Sequence, residues 1–255
     1  LFVLIFVTTP FAIIISSIGG LILNIKRISN RIFKLDEKNN VNHLWKSHKE
    51  KLIIFILSLI FIPVFSIFIF NSILYNGWRH FYFIYPLLII HSIYFINYLV
   101  IKFFKSVYNP IILLSFTIMF FLNIFSLYTY HPHQNVFFNF SMKNKADFLF
   151  EKDYWGLVNY QNLKKIYSLE KKEINIGASS FTDLNLSKKI FEKSVRDNFI
   201  IVGQMYEEAD YIVNNFQYEI DTRYNKKYEI PDYFTKIHEI KLGNIRISEI
   251  YKKIK

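Results

Sequence analysis

The chain of 255 residues contains no cysteine. Disulfides and thiolate metal sites are therefore excluded, although this says nothing about compartment. Acidic residues are missing from a long stretch: there is no Asp or Glu between Lys51 and Ala146. No carboxylate there could relay protons or balance a buried cation, which disfavours a proton-coupled transporter. Charge of either sign is scarce in the same region, where Arg79 is the one formal charge between Lys51 and Lys102. No glycine pattern for a mononucleotide or dinucleotide is present, nor a Gly-x-Ser-x-Gly nucleophile turn. The first residues, an apolar run without a charged leader, do not read as a signal peptide, and further chain is expected before Leu1.

The uncharged runs are long enough to cross a bilayer, whose apolar core of about 30 Å takes about 20 helical residues. Spans are expected near 1–23, 52–74, 81–101 and 110–130. Residues 1–130 carry 11 Lys and Arg against three Asp and Glu, while residues 131–255 carry 20 against 17. The excess positive charge thus lies between apolar runs. The loop 24–51 holds eight basic residues, 75–80 one and 102–109 two. The positive-inside rule then makes 24–51 a cytoplasmic loop and puts the turn around Arg79, and everything after Tyr130, on the outer face. No basic helix or RNA-binding aromatic pattern appears, so no nucleic-acid partner is expected.

After Tyr130 the composition becomes that of a water-soluble domain. Leu157, Leu163, Ile166 and Leu169 recur at helical spacing. Residues 173–178 alternate as a strand, and 184–195 reads as a second helix capped by Asp183. Phe199–Val202 and Ala209–Asn214 read as buried strands, with a closing hairpin turned at Gly243-Asn244. The expected fold is an α-helical membrane bundle of about four transmembrane helices, residues 1–130, followed by a small extracytoplasmic α/β domain, residues 131–255.

Candidate functional residues stand out against this background. Trp78, Arg79 and His80 form a polar knot between two spans, with Tyr75 and Tyr82 beside it. The knot is either a site for an anionic lipid headgroup or an interfacial anchor that sets helix depth. His131 and His133 could share a metal, or serve as hydrogen-bonding histidines. Asp153 could be a general base or substrate contact, or the cap of the helix that follows. Asn139-Phe140-Ser141 and Asn185-Leu186-Ser187 match a glycosylation acceptor at the frequency chance allows in so Asn-rich a chain.

Three motifs occur in order: Asn76-Gly77-Trp78-Arg79-His80-Phe81, then His131-Pro132-His133-Gln134 running to Asn139, then Asp153-Tyr154-Trp155-Gly156-Leu157. Together they resemble the C-terminal half of bacterial glycosyltransferase family 39-like proteins. These are GT-C-fold membrane enzymes related to the dolichyl-phosphate-mannose protein mannosyltransferases and the lipid A aminoarabinose transferases. The resemblance covers roughly 52–177. Asn76 stands where the family more often has Asp, and His133 where Tyr is common. It implies an enzyme of the bacterial inner or plasma membrane that moves a sugar from a polyprenyl-phosphate carrier to a glycan, lipid or protein acceptor outside the cytoplasm. It implies that Arg79, with His80, Trp78, His131 and Gln134, holds the lipid phosphate, and that Asp153, Tyr154 and Trp155 make contacts from the outer domain. The catalytic base is expected in an earlier external loop, outside this chain. No cofactor is expected, a divalent metal being left open. The competing expectation is a non-catalytic membrane-anchored module whose outer domain binds a glycan or an assembly partner.

Overall fold

The computed structural model describes residues 1–33, 47–72, 78–106, 108–142, 145–218 and 226–254. The chain divides into two compact units, Leu1–Phe125 and Ser126–Lys255. Four helices are long and apolar enough to cross a membrane, over Phe11–Asn30, His48–Phe70, Ile84–Lys102 and Tyr108–Thr129. At 1.5 Å per residue each is about 30 Å long, matching an apolar bilayer core.

The first unit opens with a short helix α1 (Phe2–Thr8), and α2 (Phe11–Phe33) follows. The expected span over 1–23 is corrected here. The chain breaks at Thr9-Pro10, because proline brings no N–H, and its carbonyl instead starts the next helix by accepting from Ile13 and Ile14. The helix then continues through Lys26 and Arg27, so the first part of the expected loop 24–51 is helical; residues 34–46 lie outside the described residues. Helix α3 (His48–Phe70) starts at Ser47, whose hydroxyl accepts from the Glu50 amide at 3.2 Å, and ends on Asn71 in the left-handed region. Helices α4 (Ile84–Lys102) and α5 (Tyr108–Thr129) complete the set.

Small residues bring α2 and α4 together. A Cβ on Gly20 would lie 2.0 Å from the His91 carbonyl oxygen, and one on Gly19 would lie 2.6 Å from the Phe95 ring. That close approach aligns polar side chains across the pair. Asn24 Nδ2 donates to His91 Nδ1 at 3.0 Å, and Ser92 Oγ donates to the Ile13 carbonyl at 3.2 Å. In a dry environment such bonds between helices satisfy groups that no solvent can reach.

The second unit is built on a five-stranded mixed sheet. After a short helix α6 (Ala146–Leu149) come α7 (Val158–Leu169), β1 (Ile174–Ala178), α8 (Leu184–Lys188), α9 (Lys193–Arg196), β2 (Phe199–Gly203), β3 (Tyr211–Asn214), β4 (Phe234–Leu242) and β5 (Ile245–Lys253). The strand order is β2-β1-β3-β5-β4. The first three strands run parallel; β5 is antiparallel to both β3 and β4. Leu163 and Ile166 of α7 pack on Ile174, Ile176, Tyr211, Val213 and Ile250 in the core. The single helix expected over 184–195 is instead two short turns. The break lets Phe191 reach Phe199 at 5.3 Å and Tyr160 at 4.7 Å.

Charged residues tie the periphery. Lys236 pairs with Glu239 at 3.3 Å and Glu249 at 3.2 Å, and Lys241 pairs with Glu239. Glu170, just past α7, accepts from Lys252 at 2.7 Å and Tyr211 at 2.7 Å and pairs with Lys172 at 3.0 Å. These bonds hold its carboxyl down at about 2.

Two outcomes follow. Gly20→Ala is expected to destabilise the first unit by about 1–3 kcal/mol, because α2 and α4 must separate to admit a methyl group; thermal unfolding in detergent, with exposed Ser115→Ala as control, measures this. Glu170 has a folded pKa below its unfolded value, so its stabilisation is present above about pH 4.5 and is lost as pH falls towards about 2. Glu170→Gln should therefore unfold with a shallower loss of stability across that acid window than the parent.

Candidate functional site

Trp78 precedes a 3-10 turn, Arg79–Phe81, that leads into α4. Its indole is 7% exposed and its Nε1–H donates to Thr8 Oγ1 at 2.8 Å. Thr8 in turn donates to the Leu4 carbonyl at 2.8 Å, so the hydroxyl acts in both directions. The indole meets Tyr82 edge-on at 4.9 Å between centroids and Tyr85 at 6.3 Å. Phe81 is buried beside it with Ile60, Val64 and Ile84. After the clamped Trp78, Arg79 is partly exposed and His80 exposed. Tyr75, Asn76 and Gly77 lie outside the described residues. Thr8 is a partner that sequence reading missed. A hydroxyl in an apolar helix and a buried indole N–H that must be bonded were the available signals.

The His131–Gln134 segment belongs to the second unit. Gln134 Nε2 donates to His131 Nδ1 at 3.0 Å and to the Leu127 carbonyl at 3.3 Å. His131 is exposed, with a cis peptide to Pro132. His133 is buried and bonds through Nε2 to Gln161 Oε1 at 3.0 Å. The two imidazoles therefore serve different partners, and no group of three or more His, Asp or Glu arranged for a metal occurs among the described residues.

Asp153 is fully buried. Its Oδ1 accepts from the Leu157 amide and its Oδ2 from the Val158 amide, both at 3.0 Å. Asn215 and Asn135 each add a longer contact at 3.4 Å. Burial pushes the carboxyl upward, and the amide donors oppose that push without cancelling it. Of the two roles open to Asp153, the geometry displays the cap: both oxygens close the start of α7. The turn from Asp153 to Gly156 places the glycine at φ 65°, a conformation that Cβ-bearing residues seldom adopt. Tyr154 is half-buried and Trp155 is 64% exposed, their rings edge-on at 5.2 Å. The outward-facing part of this motif is thus Trp155 and Tyr154 rather than the carboxylate.

A third cluster escaped sequence reading. Asp147 takes Lys152 Nζ at 2.8 Å and Arg246 Nε at 2.9 Å, and the Phe216 ring lies 4.3 Å from that Nζ and 5.5 Å from the guanidinium. Burial works against the charged carboxyl, but the two cations hold it below its usual range. Burial also lowers the Lys152 ammonium. Lys152 is five positions from Asp147 but Arg246 is 99 away, so spacing gave no signal for the second pair.

Comparison of the chain with protein-family models, with curated proteins and with solved structures gave no match.

Asp153→Ala should cost about 1–2 kcal/mol or more, the range for removing a helix cap, since two amides lose their acceptor. The thermal midpoint of the α/β unit measures this, and an unchanged midpoint would deny the capping role.

Proposed function

We propose that the chain is part of an integral-membrane glycosyltransferase that moves a sugar from a polyprenyl-phosphate carrier to an acceptor on the extracytoplasmic face. The observation that carries this reading is the clamped turn between two membrane-length helices, where Trp78 is locked by Thr8 and Tyr82 and presents partly exposed Arg79 with exposed His80 beside it. A guanidinium offers planar paired donors that suit a phosphate, and a cation fixed in advance stabilises the charge that grows on the carrier phosphate as the sugar leaves. His131 and Gln134, joined to each other at 3.0 Å, are the second polar pair assigned to substrate. The uneven basic loops support an outer location for both the turn and the α/β domain.

The module reading, a membrane-anchored glycan- or partner-binding protein without catalysis, draws support from Asp153, whose carboxylate is consumed by amides rather than offered to a substrate. One experiment separates the two. Arg79→Ala in the full natural protein should lower transfer from a polyprenyl-phosphate-linked sugar at least 100-fold while membrane insertion persists, with Arg79→Lys intermediate. Turnover at the parental rate in Arg79→Ala would remove the phosphate role.

A further inference from the structure

The parallel part of the sheet contains a reversal of winding. From β1 the chain passes through α8 and α9 to β2 on one side, then crosses back to β3 on the other. In open sheets with this topology, ligands are held outside the carboxyl ends of the strands at the reversal. Four loops converge there. The Ser179 amide donates to the Val213 carbonyl at 2.8 Å and the Phe181 amide to the Gln217 carbonyl at 3.0 Å, joining the segments after β1 and β3. Asn215 Nδ2 reaches the Asp153 carbonyl at 3.3 Å, which brings in the turn before α7. Gln204 Nε2 reaches the Ala178 carbonyl at 3.2 Å, which brings in the segment after β2.

Three amide side chains at this edge, Asn159, Asn215 and Gln217, are no more than 1% exposed. Among the described residues, Asn159 Oδ1, Asn215 Oδ1 and Gln217 Nε2 have no hydrogen-bond partner. Buried polar atoms seldom go unpaired, and each is costly when it does. Two acceptors and one donor are thus held ready for groups the polypeptide does not supply. Beside them is an aromatic wall: Phe181, whose amide is bonded to Gln217, packs its ring 5.7 Å from Tyr154, which meets exposed Trp155.

The charge at this edge narrows the ligand class. Two carboxylates here are engaged by amides: Asp153 by those of Leu157 and Val158, and Asp183, after β1, by that of Asn185 at 2.8 Å. The turn after β1 reads Ser179-Ser180-Phe181-Thr182, without the glycines that let backbone amides cradle a phosphate, and α8 has only five residues. A neutral ring bearing hydroxyls fits better. Each hydroxyl both donates and accepts, and the ring's C–H face packs against an aromatic surface.

We propose that the carboxyl edge of β1 and β3 is a binding site for a neutral saccharide, with Trp155 and Tyr154 as the stacking surface and Asn159, Asn215 and Gln217 as hydroxyl partners. The site is built from residues of the second unit alone and does not require sugar transfer.

The test uses the whole chain in lipid nanodiscs and a panel of neutral gluco-, manno-, galacto- and N-acetylglucosamine trisaccharides, read by saturation-transfer NMR and calorimetry. At least one trisaccharide is expected to bind, and Trp155→Ala to weaken it at least tenfold. Gln217→Leu should weaken it similarly while leaving the thermal midpoint equal or higher, because leucine removes an unpaired amide. Arg79→Ala should bind as the parent does, so failure of the transfer reading and failure of this one are distinguishable. Absence of binding across the panel, or parental affinity in both variants at the strand edge, overturns the proposal. A component of the tryptophan quenching by brominated lipid that is lost in Trp155→Phe would place that ring in the bilayer, and overturns it too.

Discussion

A polar group withdrawn from water has to find a partner inside the protein, and that single obligation organises both halves of this chain. In the first unit the Trp78 indole N–H is satisfied by Thr8, and Asn24 meets His91 across two helices drawn together by glycine. In the second, a sealed carboxylate at Asp153 takes up the amides at the start of α7 and, through Asn215, ties that turn to the end of β3. Few of these contacts contribute much alone, since a typical net hydrogen bond gives about 1 kcal/mol. Their weight lies in what would follow from breaking them, because each would strand a donor or acceptor away from solvent.

That obligation bears on what each unit can do. Just before Arg79, the Trp78 indole is held by Thr8, Tyr82, Tyr85 and the apolar cluster. In the α/β unit the same accounting leaves a remainder at the strand ends, and the sheet's reversal of winding falls at that remainder.

Much of the architecture was legible in the residue order. Long uncharged runs marked the helices, alternation marked β1, short apolar runs marked β2 and β3, and the Gly243-Asn244 turn marked the closing hairpin. Breaks were harder. Pro10 interrupts an otherwise uniform apolar run, and its effect depends on whether neighbours tolerate a bend. The split between α8 and α9 follows from where Phe191 packs, a tertiary demand that the helical pattern of 184–195 did not carry. At the candidate sites, residue types were legible and partners were not. Thr8 lies 70 positions from Trp78, Asn215 lies 62 from Asp153, and Arg246 lies 99 from Asp147. Only folding brings such pairs into range.

The sheet's two outer strands carry a further consequence. β4 displays Lys236, Glu239 and Lys241, and β2 is five residues long with the Phe199 carbonyl taken by Lys188. Charged or shortened borders discourage a neighbouring molecule from adding its own strand. Proteins confined to a bilayer meet one another far more often than they would in free solution, so insulation against lateral zippering would let many copies crowd one patch of membrane and still stay separate.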